Sequence, residues 1–133
     1  MITMLYAGLC ALLVVLLAVR VAQWRFRHKI GLGDGGDREL LKRVRAHANA
    51  VEYMPLALLL LGGMELNGYP NGMVHGFGAV LFVSRLAHAW GLSHSSGTSR
   101  GRLLGSLFTW LLLVVMSLVV IVGYAQLWLA SQG

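Results

Sequence analysis

Charge is the scarcest property of this sequence. Asp, Glu, Lys and Arg make up 12% of its 133 residues, against about 25% in an ordinary soluble domain. No Lys or Arg occurs before Arg20, between Ala46 and Ser84, or after Arg102. Cysteine is almost absent too. Cys10 stands alone in the first apolar run, so no internal disulfide forms, and no Cys-x-x-Cys pair or Cys/His cluster offers a metal site. It is expected to be a buried core thiol. The run from Met1 to Ala22 has no basic segment before it and positive charges after it, the reverse of a cleaved signal peptide. Internal repeats and low-complexity segments are also missing.

What remains is apolar. Hydrophobic residues make up 57% of the chain, and mean hydropathy is +0.70. These values imply a single membrane-embedded domain over residues 1–133. The net charge of +6 does not point to nucleic acid. Its carriers fall in two zones, Arg20 to Arg45 and Arg85 to Arg102, and flank apolar runs as the positive-inside rule describes. Four transmembrane helices are expected, at roughly residues 2–23, 38–67, 71–92 and 103–130. They would form an all-α four-helix bundle with both basic loops cytoplasmic and both termini outside, in the inner membrane if the cell is bacterial.

Local signals mark the helix ends. Trp24 to Lys29 is a basic, aromatic segment expected at headgroup level, with Arg20 snorkelling from one turn inside the first helix. Gly31, Gly33 and Gly36 match G-x-G-x-x-G, but a dinucleotide site needs a preceding strand and a βαβ unit, so a turn is expected. Asp37 should cap the second helix, with Glu39 in its first turn. Gly68 suits the C′ position and Pro70 the start of the third helix. Pro55 removes the hydrogen bond to the Val51 carbonyl. Gly72, Gly76 and Gly78 would allow close helix packing. Tyr6 and Tyr124 are expected to be interfacial or packing aromatics, and Glu65 a solvated charge.

The functional signal lies in the second helix. Arg38, Lys42, Arg45, Asn49 and Glu52 are spaced four, three, four and three residues apart, so they share one face. Polar groups running into a hydrophobic segment are costly unless they face protein or water. Arg85 and His88 reach a comparable depth on the third helix. Taken singly, Arg45 reads equally as a snorkelling side chain, Asn49 as a helix–helix hydrogen bond and Glu52 as a paired structural charge. Together they describe a cationic pocket. Guanidinium groups hold carboxylates or phosphates bidentately, a lone carboxylate receives an ammonium, and nearby cations lower a thiol pKa from about 8.5.

Residues 45–55, RAHANAVEYMP, carry an Arg-x-x-x-Asn-x-x-Glu-Tyr-x-Pro motif, and 85–91 an Arg-Leu-x-His-x-x-Gly run. With these motifs the chain resembles bacterial-type members of the membrane-associated proteins in eicosanoid and glutathione metabolism. The resemblance extends to helix number, order and loop length over nearly the whole chain. It implies a homotrimer with glutathione bound between subunits near the cytoplasmic face. By position, Arg45, Asn49, Glu52, Tyr53, Arg85 and His88 match glutathione-binding residues, joined by Arg38 and Lys42 on the same stripe. An arginine at the start of the fourth helix, Arg100 or Arg102, would stabilise the thiolate. His88 replaces a tyrosine common in the family, and Leu92 a second one.

The resulting expectation is a membrane-bound, glutathione-dependent enzyme of transferase or peroxidase type. Its co-substrate would be glutathione, its acceptor a lipophilic electrophile arriving through the bilayer, and it would use no metal. A small proton-coupled transporter working through Glu52, and a non-catalytic membrane adaptor of the same fold, are the alternatives.

Overall fold

The computed structural model describes residues 1–94 and 100–132, without the side chains of residues 92–94 and Arg102. Four helices follow in chain order: α1 (Ile2–His28), α2 (Arg38–Leu66), α3 (Asn71–His94) and α4 (Arg100–Ala130). They run up and down, so the start of α1, the α2–α3 turn and the end of α4 share one end of the bundle. The basic loops share the other. The expected number and order of helices hold and α2 begins at Arg38 as expected, but at the basic end α1, α3 and α4 run longer than expected. The Trp24–His28 segment continues α1, which stops only where Lys29 turns left-handed and its N–H reaches the Arg25 and Phe26 carbonyls.

The helices pack through stripes at three- and four-residue spacing. Tyr6, Cys10, Leu13 and Leu17 of α1 face Ala46, Ala50, Met54, Ala57 and Leu61 of α2 in one core cluster, which Leu81 of α3 and Met116 of α4 complete. Cys10 is buried, as expected. The outside is apolar as well: Leu12, Leu59, Leu111 and Ile121 are each more than half exposed. Helix α1 and the Leu103–Ala130 stretch of α4 are long and apolar enough to cross a membrane, with mean hydropathies of 2.6 and 2.5. Helices α2 and α3 carry the polar groups and lie alongside them.

Caps and turns follow the chemistry of their residues. The Asp37 carboxylate accepts the N–H groups of Glu39 at 2.8 Å and Leu40 at 3.1 Å, which satisfies donors that the first turn of α2 leaves without partners. Gly33, Gly35 and Gly36 all have positive φ, so the glycine run is a turn between helices, with no strand before it. Gly68 closes α2 at φ +77, with its N–H on the Glu65 carbonyl and that of Tyr69 on Met64, the paired bonds of a Schellman end. Pro55 sits within an unbroken α2.

Two expectations need correction, and Trp24 has a further role. Glu65 is not a solvated charge: its carboxylate accepts the N–H groups of Ile2 and Thr3, capping α1 from the neighbouring helix. Trp24 is more than a headgroup-level ring, because its indole N–H donates to Asp37 at 2.8 Å and ties α1 to the start of α2. Of the three glycines expected in close packing, only Gly78 has a neighbour within reach of an added Cβ, which would strike the Tyr6 ring. That ring is held in place by its hydroxyl, which donates to the His75 carbonyl at 3.0 Å. Tyr124 is largely exposed.

Two outcomes test this packing. Gly78→Ala should lower the melting temperature of the detergent-solubilised chain, because overpacking a fixed contact costs about 1–3 kcal/mol. An unchanged melt would show that Tyr6 moves freely. The Trp24 hydrogen bond, followed by those from Leu40 and Glu39, holds the Asp37 carboxyl below the usual carboxylate range. Its stabilising effect is therefore complete above the unfolded value of about 3.9 and is lost as pH falls through the lower folded value. Trp24→Phe should shrink the stability lost on acidification and make that loss end at higher pH, so its melts from pH 2 to 6 should vary less than those of wild type.

Candidate functional site

The candidate site is organised by a buried cation. Arg85 of α3 is 2% exposed and its guanidinium spans three helices. Nη1 donates to the Asn49 side-chain oxygen of α2 at 2.7 Å, and Nη2 to the Gly105 carbonyl of α4 at 2.8 Å. Its Cζ lies 5.6 Å from the Tyr53 ring centroid, within cation–π range. Its Nε donor is buried without a hydrogen-bond partner among the described residues. Among the described residues no carboxylate pairs with Arg85. It is a positive charge held by neutral dipoles.

A second layer fixes α4 against this arginine. The Thr109 hydroxyl donates to the same Gly105 carbonyl at 2.8 Å and lies 3.0 Å from the Ser84 hydroxyl. Ser84 in turn donates to the Leu81 carbonyl. A Cβ added to Gly105 would come within 2.7 Å of the Ser84 carbonyl oxygen and of His88 Cβ, so the two helices meet backbone to backbone. His88 is buried one turn beyond Arg85.

The stripe of α2 straddles the edge of this packed region. Asn49 and Tyr53 lie half-buried on the side facing Arg85, while Arg45 and Glu52 are exposed on the outward side. Leu41, Leu56 and Leu59 share that outward face and are likewise exposed. The structure therefore brings Asn49, Tyr53, Arg85 and His88 together and sets Arg45 and Glu52 at the rim. Arg38 and Lys42 stand further toward the basic end. Arg38 is exposed and Lys42 is bonded to Glu39 of its own helix. Arg100 is exposed at the first residue of α4, one turn and a half before Gly105. The Arg102 side chain lies outside the described residues.

Sequence reasoning missed Gly105 and Thr109. Their signal was a small and a hydroxyl residue four apart on an otherwise apolar helix, the spacing that lets membrane helices approach closely.

The sequence model of the MAPEG family matches residues 3–122. This chain belongs to the MAPEG family. Among its relatives is the inner membrane protein YecN of Escherichia coli strain K12, 41% identical over 128 residues that cover 96% of this chain and 92% of that protein. The same values hold for YecN of Escherichia coli O6:H1. In this MAPEG chain the Arg-x-x-x-Asn run on α2 and the arginine run on α3 meet at one hydrogen bond, Arg85 to Asn49.

Gly105→Ala should destabilise the bundle by about 1–3 kcal/mol, since the added methyl meets backbone rather than a movable side chain. Melting of the purified protein in detergent checks this, and a neutral result would refute the close α3–α4 contact.

Proposed function

We propose that this chain is a glutathione-dependent membrane enzyme of transferase or peroxidase type, which activates the thiol of glutathione for attack on lipophilic electrophiles. The observation that carries the reading is the buried, uncompensated Arg85 beside the rim pair Arg45 and Glu52. Glutathione brings two carboxylates, an ammonium and a thiol. Arg45, with Arg38 and Lys42 further out, supplies cations for carboxylates, and Glu52 supplies the acceptor for the ammonium. Arg85 holds Asn49 in orientation and keeps the pocket floor positive, with Tyr53 and His88 beside it. Arg100 and Arg102, at the start of α4, are the cations placed to lower the thiol pKa.

The outward aspect of Arg45 and Glu52 supports a shared site. A charge facing lipid is costly, and a second copy laid over this leucine-bearing face would bury it. A homotrimer with glutathione between subunits satisfies that requirement. The basic end then faces the cytoplasm of a bacterial inner membrane, by the bias of Lys and Arg toward that side. Glutathione enters from there and the hydrophobic acceptor from the bilayer.

Thermal shift with glutathione in detergent, together with conjugation to a chloronitrobenzene acceptor, tests the reading. Wild type should bind and turn over. Arg45→Ala and Glu52→Gln should each weaken glutathione binding roughly 10- to 100-fold, the loss expected for a charge-assisted hydrogen bond of about 1.5–3 kcal/mol. No binding by wild type sinks the proposal, and binding without turnover reduces it to a glutathione-binding protein. Arg100→Ala and Arg102→Ala, compared by their thiol pH–rate profiles, identify the activating arginine.

A further inference from the structure

The end of the bundle away from the basic loops carries a cavity that the proposed reaction does not use. It lies between the α2–α3 turn and the C-terminal turns of α4, with a volume of about 400 Å³, within the range of small-molecule sites. Val120, Gly123, Tyr124 and Leu127 make one wall, spaced three, one and three residues apart, so that they share a face of α4. Asn67 and Tyr69 of the turn make the other, and Gln126 also lines it. The turn is held against α4 by the Tyr69 hydroxyl, which donates to the Val119 carbonyl at 3.0 Å. It reaches that carbonyl because residue 123 is glycine: an added Cβ would strike the Tyr69 hydroxyl oxygen.

The lining has hydrogen-bonding groups but no charge. No Lys or Arg occurs from Ala46 to Ser84 or after Arg102, and Glu65, the carboxylate at this end, is occupied by the N–H groups of Ile2 and Thr3. A phosphate or an ammonium taken up here would lose water without gaining a counter-charge. Two of the polar groups are already fixed. Asn67 uses one amide N–H on the Gly63 carbonyl at 2.7 Å, which leaves its side-chain oxygen to accept. Tyr69 uses its one proton on Val119, which leaves its oxygen to accept as well. A ligand must therefore bring donors, and hydroxyl groups bring them without charge. Val120 and Leu127 offer it an apolar surface. Tyr124 and Trp128 are 70% and 52% exposed, as aromatic side chains are at a membrane interface, so the cavity lies at the level of lipid headgroups.

We infer that this cavity binds the headgroup of an uncharged, polyol-headed lipid, whose hydroxyl groups donate to Asn67 and Tyr69 and whose chain lies along the Val120 and Leu127 face of α4. Tyr124 and Gln126, whose polar groups both donate and accept, complete the set. A phospholipid fits poorly, because its phosphate meets no cation at this end. A free polyol has the same hydroxyl groups but leaves Val120 and Leu127 in water. Residues 124–130 of α4 are all exposed, so the bound lipid would brace the part of that helix which the bundle leaves uncovered. The site does not rest on the glutathione reading.

The test is a lipid titration of the full-length chain, read by native mass spectrometry, in a polyoxyethylene detergent rather than a sugar-headed one that would compete. Monooleoylglycerol is compared with methyl oleate, which keeps the chain and has no donor, and with oleoyl lysophosphatidylglycerol, which adds a phosphate. A neutral hydrogen bond contributes roughly fivefold in affinity, so monooleoylglycerol should bind about 25-fold more tightly than methyl oleate through Asn67 and Tyr69. It should also bind more tightly than the phosphate-bearing lipid. Tyr69→Phe and Gln126→Leu should each weaken monooleoylglycerol roughly fivefold. Gln23→Leu, the same change at an exposed position of the basic end, should leave it unchanged. If circular dichroism shows that Tyr69→Phe is unfolded, Gln126→Leu decides, since its side chain is exposed. Equal binding of monooleoylglycerol and methyl oleate would mean an adventitious apolar additive only and overturn the site. Equal effects of Gln126→Leu and Gln23→Leu would overturn it too. Tighter binding of the phosphate-bearing lipid would overturn the uncharged assignment, and displacement by millimolar glycerol would assign the site to free polyols and overturn the lipid assignment.

Discussion

A single guanidinium held among three helices is the constraint on which the rest of this bundle depends. Arg85 enters the interior without a carboxylate partner, so its charge is met by dipoles: the Asn49 amide, the Gly105 carbonyl and the Tyr53 ring face. Each of these belongs to a helix that must approach closely for the contact to exist. The Gly105 carbonyl can be reached only because α3 and α4 touch at a residue without a side chain. The Ser84–Thr109 pair then pins that approach. A buried cation supported in this way is costly to disturb.

The two ends of the molecule solve different problems. At the non-basic end, Glu65 caps α1 from α2, the Tyr6 hydroxyl reaches the His75 carbonyl, and the Tyr69 hydroxyl donates to the Val119 carbonyl. These bonds join neighbouring helices and leave few unsatisfied groups, as a chain embedded in lipid requires. At the basic end, cations outnumber carboxylates and several donors remain open. Two faces of α2 share this excess. The outward face, with Arg45 and Glu52, carries the proposed glutathione stripe, and the face toward α1, with Arg43, packs over the Trp24 ring.

Much of this was legible before any coordinates. Apolar runs broken by charge and by Gly/Pro turns specify four helices, and Asp37 and Gly68 announced their roles because capping chemistry is local in sequence. The stripe on α2 was readable for the same reason: a period of 3.6 puts Arg45, Asn49 and Glu52 on one face whatever surrounds them. Glu65 was misread because its partners are more than sixty residues away. Gly72 and Gly76 were misread because a small residue permits close packing without requiring it.

The sequence by itself therefore determined the helical membrane bundle, the family, and the residues competent to bind an anion, since each follows from composition or from short-range periodicity. Tertiary structure decided which of those residues meet. It put Arg85 beneath Asn49 as a buried organiser, left Arg45 and Glu52 at the rim, and turned Arg43 toward Trp24. The physical reason is that helix rotation and pairing are set by packing between segments far apart in the chain, above all by the Gly78–Tyr6 and Gly105–His88 contacts. No window of neighbouring residues encodes that information.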